Sequence, residues 1–170
     1  MVTSEAVLSR LPAYVDDWEL IKPNQYVPDI IKEVCTAHRL FADSYDQFSY
    51  MFYTTDPDTL GEVLYRFCKH YISYQEESAK RQTSAVPQGI LTRGFGDCKH
   101  YALFNAGVIA SLNRLYGCCF DAAFVFAGYK GATEPYHVFV SVADSVDSEI
   151  WIDPTPGSGG IPSLMIEKPV

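Results

Sequence analysis

The hydrophobic period of this chain changes once, at Gly117, and that switch limits the fold more than any other feature. Before it, apolar residues recur at helical spacing. Ile30, Ile31, Val34, Cys35, His38 and Phe41 follow Asp29; Leu60, Val63, Leu64, Phe67, Cys68 and Tyr71 follow Thr55-Asp56-Pro57. A third helix is predicted from Cys98 to about Leu115, capped by Asp97 and ended by Gly117, with Ala102, Ala106, Ile109 and Ala110 as its inner stripe. After Gly117 the period is two. Tyr136, Val138, Val140 and Val142 point one way, and His137, Phe139 and Ser141 the other. Phe120–Tyr129 and Ile150–Asp153 read as its partner strands, with a loop over Gly128–Pro135. Helices first and strands last predict an α+β domain, an antiparallel sheet covered by helices on one face.

The rest of the chain reads as connection. Residues 1–28, punctuated by Pro12, Pro23 and Pro28, are expected to form an N-terminal arm with a short helix over Val15–Ile21. Asp29 reads as the cap of the first long helix, and the domain runs over 29–156. The polar stretch Glu76–Gln88 reads as loop, and Arg93–Asp97 as a turn. Gly157-Ser158-Gly159-Gly160 opens a C-terminal tail, 157–170.

Charge excludes some functions. Thirteen Lys and Arg face twenty-one Asp and Glu, a net charge of −8 with no long basic run, which argues against a nucleic-acid partner. No apolar stretch reaches the ~18 residues of a spanning helix, so no membrane partner is expected. Met1-Val2-Thr3-Ser4-Glu5 lacks the basic and apolar regions of a signal peptide, so a cytoplasmic location is expected. The five cysteines, at 35, 68, 98, 118 and 119, are odd in number and contain no Cys-x-x-Cys. Neither a disulfide framework nor a zinc site is expected, and Cys118-Cys119 is a poor metal or redox pair. No cofactor is implied.

Cys98 opens a helix, where the dipole and free N–H groups favour a thiolate. Alone, a cysteine there reads as a small apolar residue. His137 alone reads as a core or surface group, and Asp153-Pro154 as a turn former. Together, in the order Cys, His, Asp, they change the reading. Antiparallel pairing of the last two strands sets His137 beside Asp153, and the Cys98 helix packs on the same sheet. That is the nucleophile–base–orienter arrangement of thiol catalysis. His100, two residues from Cys98, points to another helix face and reads as a rim residue. His38 and His70 read as packing or boundary residues. In the Tyr45–Tyr53 segment, Tyr45, Phe48, Tyr50, Phe52 and Tyr53 read as core and groove lining.

Three blocks, Gly94-Phe95-Gly96-Asp97-Cys98-Lys99-His100-Tyr101-Ala102, Tyr136-His137-Val138-Phe139-Val140 and Trp151-Ile152-Asp153-Pro154-Thr155, resemble the motifs of the transglutaminase-like superfamily over about residues 57–156. The resemblance implies a papain-like α+β core and a Cys98–His137–Asp153 triad. It also implies a thioacyl-enzyme, with water as the acceptor in a peptidase or amidase and an amine in a transferase. A peptide or protein is the implied substrate. Phe139 stands where the family often has a Trp. Papain-like sites often take a second oxyanion donor from a Gln upstream of the Cys, and Gln82 and Gln88 are the two within 20 positions. Leu64–Gln75, the Gln82…Pro87 stretch and Gly96–Lys99 are similar to transglutaminase-like proteins of phages of gut Bacteroidetes. That similarity implies host cytoplasm or virion as location and virion proteins as partners. The rival expectation is a non-catalytic structural or assembly module of a phage particle that keeps the fold.

Overall fold

The chain enters its central helix through a fully used cap and leaves it through a left-handed glycine, and the other elements are arranged around that helix. In the computed structural model the described residues are 1–13, 19–21, 27–78, 82–143, 149–157 and 160–170. The elements before the helix are α1 (Ser4–Leu8), β1 (Glu19–Ile21), α2 (Val27–Phe41), α3 (Pro57–Tyr71), β2 (Ser73–Tyr74), β3 (Gln82–Ser84), α4 (Pro87–Arg93) and β4 (Phe95–Gly96). The central helix is α5 (Cys98–Tyr116). It is followed by β5 (Asp121–Gly128), β6 (His137–Ala143), β7 (Glu149–Ile152) and β8 (Leu164–Pro169). Two 3₁₀ turns, Ala42–Tyr45 and Ser49–Phe52, join α2 to α3.

The four last strands form one antiparallel sheet in the order β7-β6-β5-β8. Helices and sheet are segregated along the chain, so the α+β class holds. Phe124, Phe126, Val138, Val140, Val142 and Ile152 face the main core shared with the helices. The alternate residues Val125, Ala127 and Phe139, with Tyr129 against them, make a second small apolar cluster. Both faces of β5 and β6 are therefore buried, which is why β5 reads as a nearly continuous apolar run.

Helix α5 is wrapped rather than amphipathic. Thirteen of its residues are buried, and Ala110 of the expected inner stripe is only half-buried. Phe104 on α5 meets Phe67 in a stack at 5.1 Å and 7°, with Tyr45, Phe48 and Phe52 around it. The Tyr45–Phe52 segment thus supplies core, as expected, while Tyr50 and Tyr53 are exposed. His38 is buried with its ring edge-on to Phe124 at 5.3 Å. Burial first, then Arg39 and Arg114, pulls its pKa down to about 4, so it packs as a neutral ring. After Gly117 (φ 64°), Asn113 clamps the exit: its Nδ2 donates to the Phe120 carbonyl at 2.8 Å and its Oδ1 accepts from the Phe120 N–H at 2.9 Å.

Several expectations are corrected. Glu19–Ile21, expected as helix, is a strand paired with β3; the rest of that expected helix, 15–18, lies outside the described residues. Helix α2 starts at Val27, not after Asp29, because Pro28 suits a first turn where no N–H is needed. The arm is partly core, since Val7 of α1 is fully buried. Glu76–Gln88 is not loop throughout. It contains β3 and the start of α4, whose Pro87 opens the helix and whose Gly94 (φ 67°) closes it. The segment expected as a tail returns as β8 along the free edge of β5, with Phe126 opposite Ile166. Its charges and terminal proline are what an edge strand tolerates, and they hide it from a pattern search. Among the described residues no helix is long and apolar enough to cross a membrane.

Two glycines set how closely the layers approach. A Cβ on Gly61 of α3 would stand 3.0 Å from Ile150 of β7. A Cβ on Gly107 of α5 would stand 2.3 Å from the ring of Tyr45, a buried residue whose hydroxyl donates to the Leu103 carbonyl at 3.1 Å. Alanine in a helix interior normally stabilises by ~1 kcal/mol over glycine. Here Gly107→Ala is expected to destabilise by about 1–3 kcal/mol, because Tyr45 has nowhere to move. Denaturant unfolding checks this, and an unchanged or raised midpoint would show that the contact can relax.

Candidate active site

Asp97 fixes the start of α5. Its Oδ1 accepts from the Lys99 N–H at 3.0 Å, and His100 Nδ1 lies 2.9 Å from the same oxygen and 3.2 Å from the Asp97 backbone nitrogen. The pair is a capping box with His100 in the place usually held by Glu or Gln. His100 is 1% exposed, so it is a buried cap and not the expected rim residue. A Cβ on Gly96 would stand 2.6 Å from His100 Cβ, which explains the glycine before the acid. Lys99 is buried too. Its Nζ pairs with Asp97 Oδ2 and lies 3.4 Å from Glu77 Oε2. Glu77 in turn accepts from the Thr83 N–H at 2.6 Å and from the Thr83 hydroxyl, so the segment around β3 is tied to the helix start. Burial alone would push the Asp97 carboxyl up; His100 and Lys99 outweigh it and hold the carboxyl well below its usual range.

Cys98 is the first residue of α5, His137 the first of β6, and Asp153 follows the last of β7. Because β6 and β7 are antiparallel, with Val140 opposite Ile152, the start of one and the end of the other share one end of the sheet. The helix start arrives at that end. His137 Nε2 lies 2.7 Å from Asp153 Oδ2, and Cys98 lines the same cavity as the ring, near enough to act on its charge. Nε2 is engaged by the carboxylate, so Nδ1 is the ring nitrogen left for any proton exchange with a neighbouring group. Asp153 is itself held, since its Oδ1 accepts from the Thr155 N–H at 3.2 Å. That contact gives the Asp-Pro-Thr spacing its reason, a side chain folded back on its own turn.

The His137 ring is buried near Tyr129 and Phe139, with centroids 6.1 and 5.8 Å away, and Trp151 lies 5.1 Å beyond Phe139. Burial lowers the pKa of such a ring, but the hydrogen-bonded Asp153 carboxylate, with Cys98 beside it, more than compensates. The net result is a pKa raised to about 9. His137 is therefore cationic at neutral pH.

Cys98 and His137 open onto a cavity of about 660 Å³, walled by Tyr74, Tyr129 and Tyr136 and by Glu76, Glu77 and Lys130 among others. Gln82 lines this cavity, but its Nε2 donates to the Glu77 and Ser78 carbonyls at 3.3 and 3.1 Å. Gln88 is buried in α4 and is not among the lining residues. Sequence reasoning passed over Tyr74, Glu77 and Lys99. Only the adjacency of Lys99 to Cys98 was visible in the chain, and long-range pairing supplies the other two. The remaining thiols lie elsewhere: Cys68 is buried, with its Sγ donating to Asn105 Oδ1 at 3.3 Å, and Cys119 is exposed. Among the described residues no group of three or more His, Cys, Asp and Glu is placed to hold a metal ion.

The raised His137 pKa makes stability depend on pH. The charged ring is favoured in the folded state, so its contribution is complete below about pH 6.5 and is lost as pH rises through about 9. Asp153→Asn removes the main compensating partner. Its unfolding midpoint is expected to lie below that of the wild type at pH 6 and to converge with it by pH 10. A constant gap across that range would mean that the pair does not titrate as described.

No protein-family model matches this chain, and no curated protein matches it.

Proposed function

We propose that this protein is a transglutaminase-like, papain-like thiol enzyme that forms a thioacyl intermediate on Cys98 and passes it to water, as a peptidase or amidase. The observation that carries this reading is the His137 imidazole held by Asp153 at 2.7 Å in the same cavity that Cys98 lines at the start of α5. In the reactive state the thiol proton resides on Nδ1 of His137. The sulfur attacks an amide carbonyl, a C–S bond forms, and the carbonyl π pair moves to oxygen. Collapse of that intermediate breaks the C–N bond, and His137 gives its proton to the departing amine. Neutral His137 then takes a proton from the attacking water, and the thiolate leaves as the acid is released. Asp153 keeps the ring turned and favours its charged form throughout.

The direct test is profiling with peptide amides and small acyl donors, with Cys98→Ala as control and intact mass to detect the thioester. Turnover that depends on Cys98 is the expected result. Adding a primary amine divides the outcome between hydrolysis and transfer. Absence of any Cys98 adduct across the set would refute the enzyme and favour a module that keeps the fold without turnover.

Thiol reactivity gives a second test. Burial raises the pKa of Cys35, Cys68 and Cys118. Near pH 7, iodoacetamide is expected to label Cys98 before the other four. His137→Ala should slow that labelling at least about tenfold, because the cationic partner is gone. Asp153→Asn should slow it less. The double variant should cost far less than the sum of the two. Strictly additive costs would mean that the residues do not act as one unit.

A further inference from the structure

We infer that Tyr74 is a catalytic residue whose hydroxyl, with the backbone N–H of Cys98, binds the carbonyl oxygen as it becomes an oxyanion. This rests on the acyl-transfer reading above. Attack by sulfur on a carbonyl puts a full charge on oxygen, and a working site has donors aimed at that position beforehand. The first residue of a helix has an N–H without an intrahelical partner, so the Cys98 N–H is one donor. The second was expected from a glutamine, but the Gln82 amide donates to two backbone carbonyls and Gln88 lies off the cavity lining.

Tyr74 has the placement the glutamines lack. It is paired with Gly96, two residues before the nucleophile, in the short parallel ladder of β2 and β4. Two hydrogen bonds lock that ladder: the Ser73 N–H donates to the Gly94 carbonyl and the Gln75 N–H to the Gly96 carbonyl, both at 2.8 Å. Tyr101 of α5 fixes it from below. Its hydroxyl donates to the Ile72 carbonyl at 2.8 Å, and its ring stacks on Tyr74 at 6.3 Å. The Tyr74 ring thus rises from a rigid base into the cavity that holds Cys98 and His137.

Its surroundings keep the phenol protonated. Burial first, then the charges of Cys98, Glu76, Asp97 and Asp153, lift its pKa to about 12. A phenol among so many anionic groups donates and does not ionise, which is what an oxyanion needs from it. Donating to the new oxyanion also offsets the negative charge that the attack delivers next to these acids. The Tyr74 proton stays on Tyr74 throughout, and the proton that leaves with the amine is the one held by His137.

Tyr74→Phe removes the hydroxyl and keeps the stacked ring. Two reagents separate its roles: p-nitrophenyl acetate acylates the sulfur through an oxyanion, whereas iodoacetamide alkylates it by displacement without one. Tyr74→Phe is expected to slow Cys98 acylation about 10²-fold while alkylation stays within about twofold. Equal loss in both reactions would make Tyr74 a support for Cys98 and overturn the inference. So would unchanged acylation, or a 10²-fold loss in Gln82→Ala instead. If wild-type Cys98 alkylates readily but forms no acetyl adduct, the acyl-transfer reading itself fails and takes this inference with it. Near- and far-ultraviolet circular dichroism of Tyr74→Phe checks folding. Were it to misfold, 3,5-difluorotyrosine at 74 keeps the ring and makes the phenol more acidic. Acylation should then fall as pH passes the lowered phenol pKa, with alkylation showing no such step; a flat profile would overturn the inference.

Discussion

The buried carboxylate of Asp97 is the interaction on which the rest of the site depends. It caps α5, pairs with Lys99, meets His100, and through Lys99 reaches Glu77 and the segment that becomes β3. A buried ion pair contributes little net stability, because desolvation offsets most of the Coulomb gain. Its effect here is geometric. One carboxylate determines where α5 begins, and so where the first sulfur on that helix stands. Removing either member would leave an uncompensated charge in the interior, a large cost.

The sheet supplies the other half of the geometry through direction alone. An antiparallel pair brings the start of one strand beside the end of its neighbour. His137 and Asp153 use that fact, and the 2.7 Å contact between them needs no long side-chain reach. β5 ends and β8 begins at the same end of the sheet, so Tyr129 and Lys130, just past Gly128, also arrive there. Helix α5 and the β2–β4 ladder add Cys98, Lys99 and Tyr74 to the lining of the same cavity. Close approach of the layers relies on missing side chains, Gly61 against Ile150 and Gly107 against Tyr45.

Elements with strong local signals are legible in the chain itself. Helix α3 carries an aspartate cap, a proline in its first turn and a clear apolar face, all of them visible in the segment itself. Helix α5 was read equally well from Asp97 and Gly117. The elements that were missed have weak or misleading local signals. Pro87 sits in a polar stretch that reads as loop, although it opens α4, with Gly89 buried in the same helix. β8 mixes Glu167, Lys168 and Pro169 into a run that only pairing with β5 makes a strand. His100 was judged by its spacing from Cys98, which says nothing about its reach back to Asp97 three residues away.

The α+β class, the central helix with its caps, the alternating strand and the residues able to form a thiol site can all be read along the chain. Each of these rests on contacts within a few positions or on hydrophobic period, and both are local properties. Which groups share the cavity follows from the packing of distant segments: Tyr74 through a parallel ladder to the helix start, Glu77 through Lys99, and Gln82 present with its amide already engaged. That packing also decides the charge on His137. The charge follows from one carboxylate sixteen residues away and one sulfur from another layer, acting across a ring removed from water. Separations of that kind are set by how the layers pack, and packing distance has no counterpart in the spacing of residues along the chain.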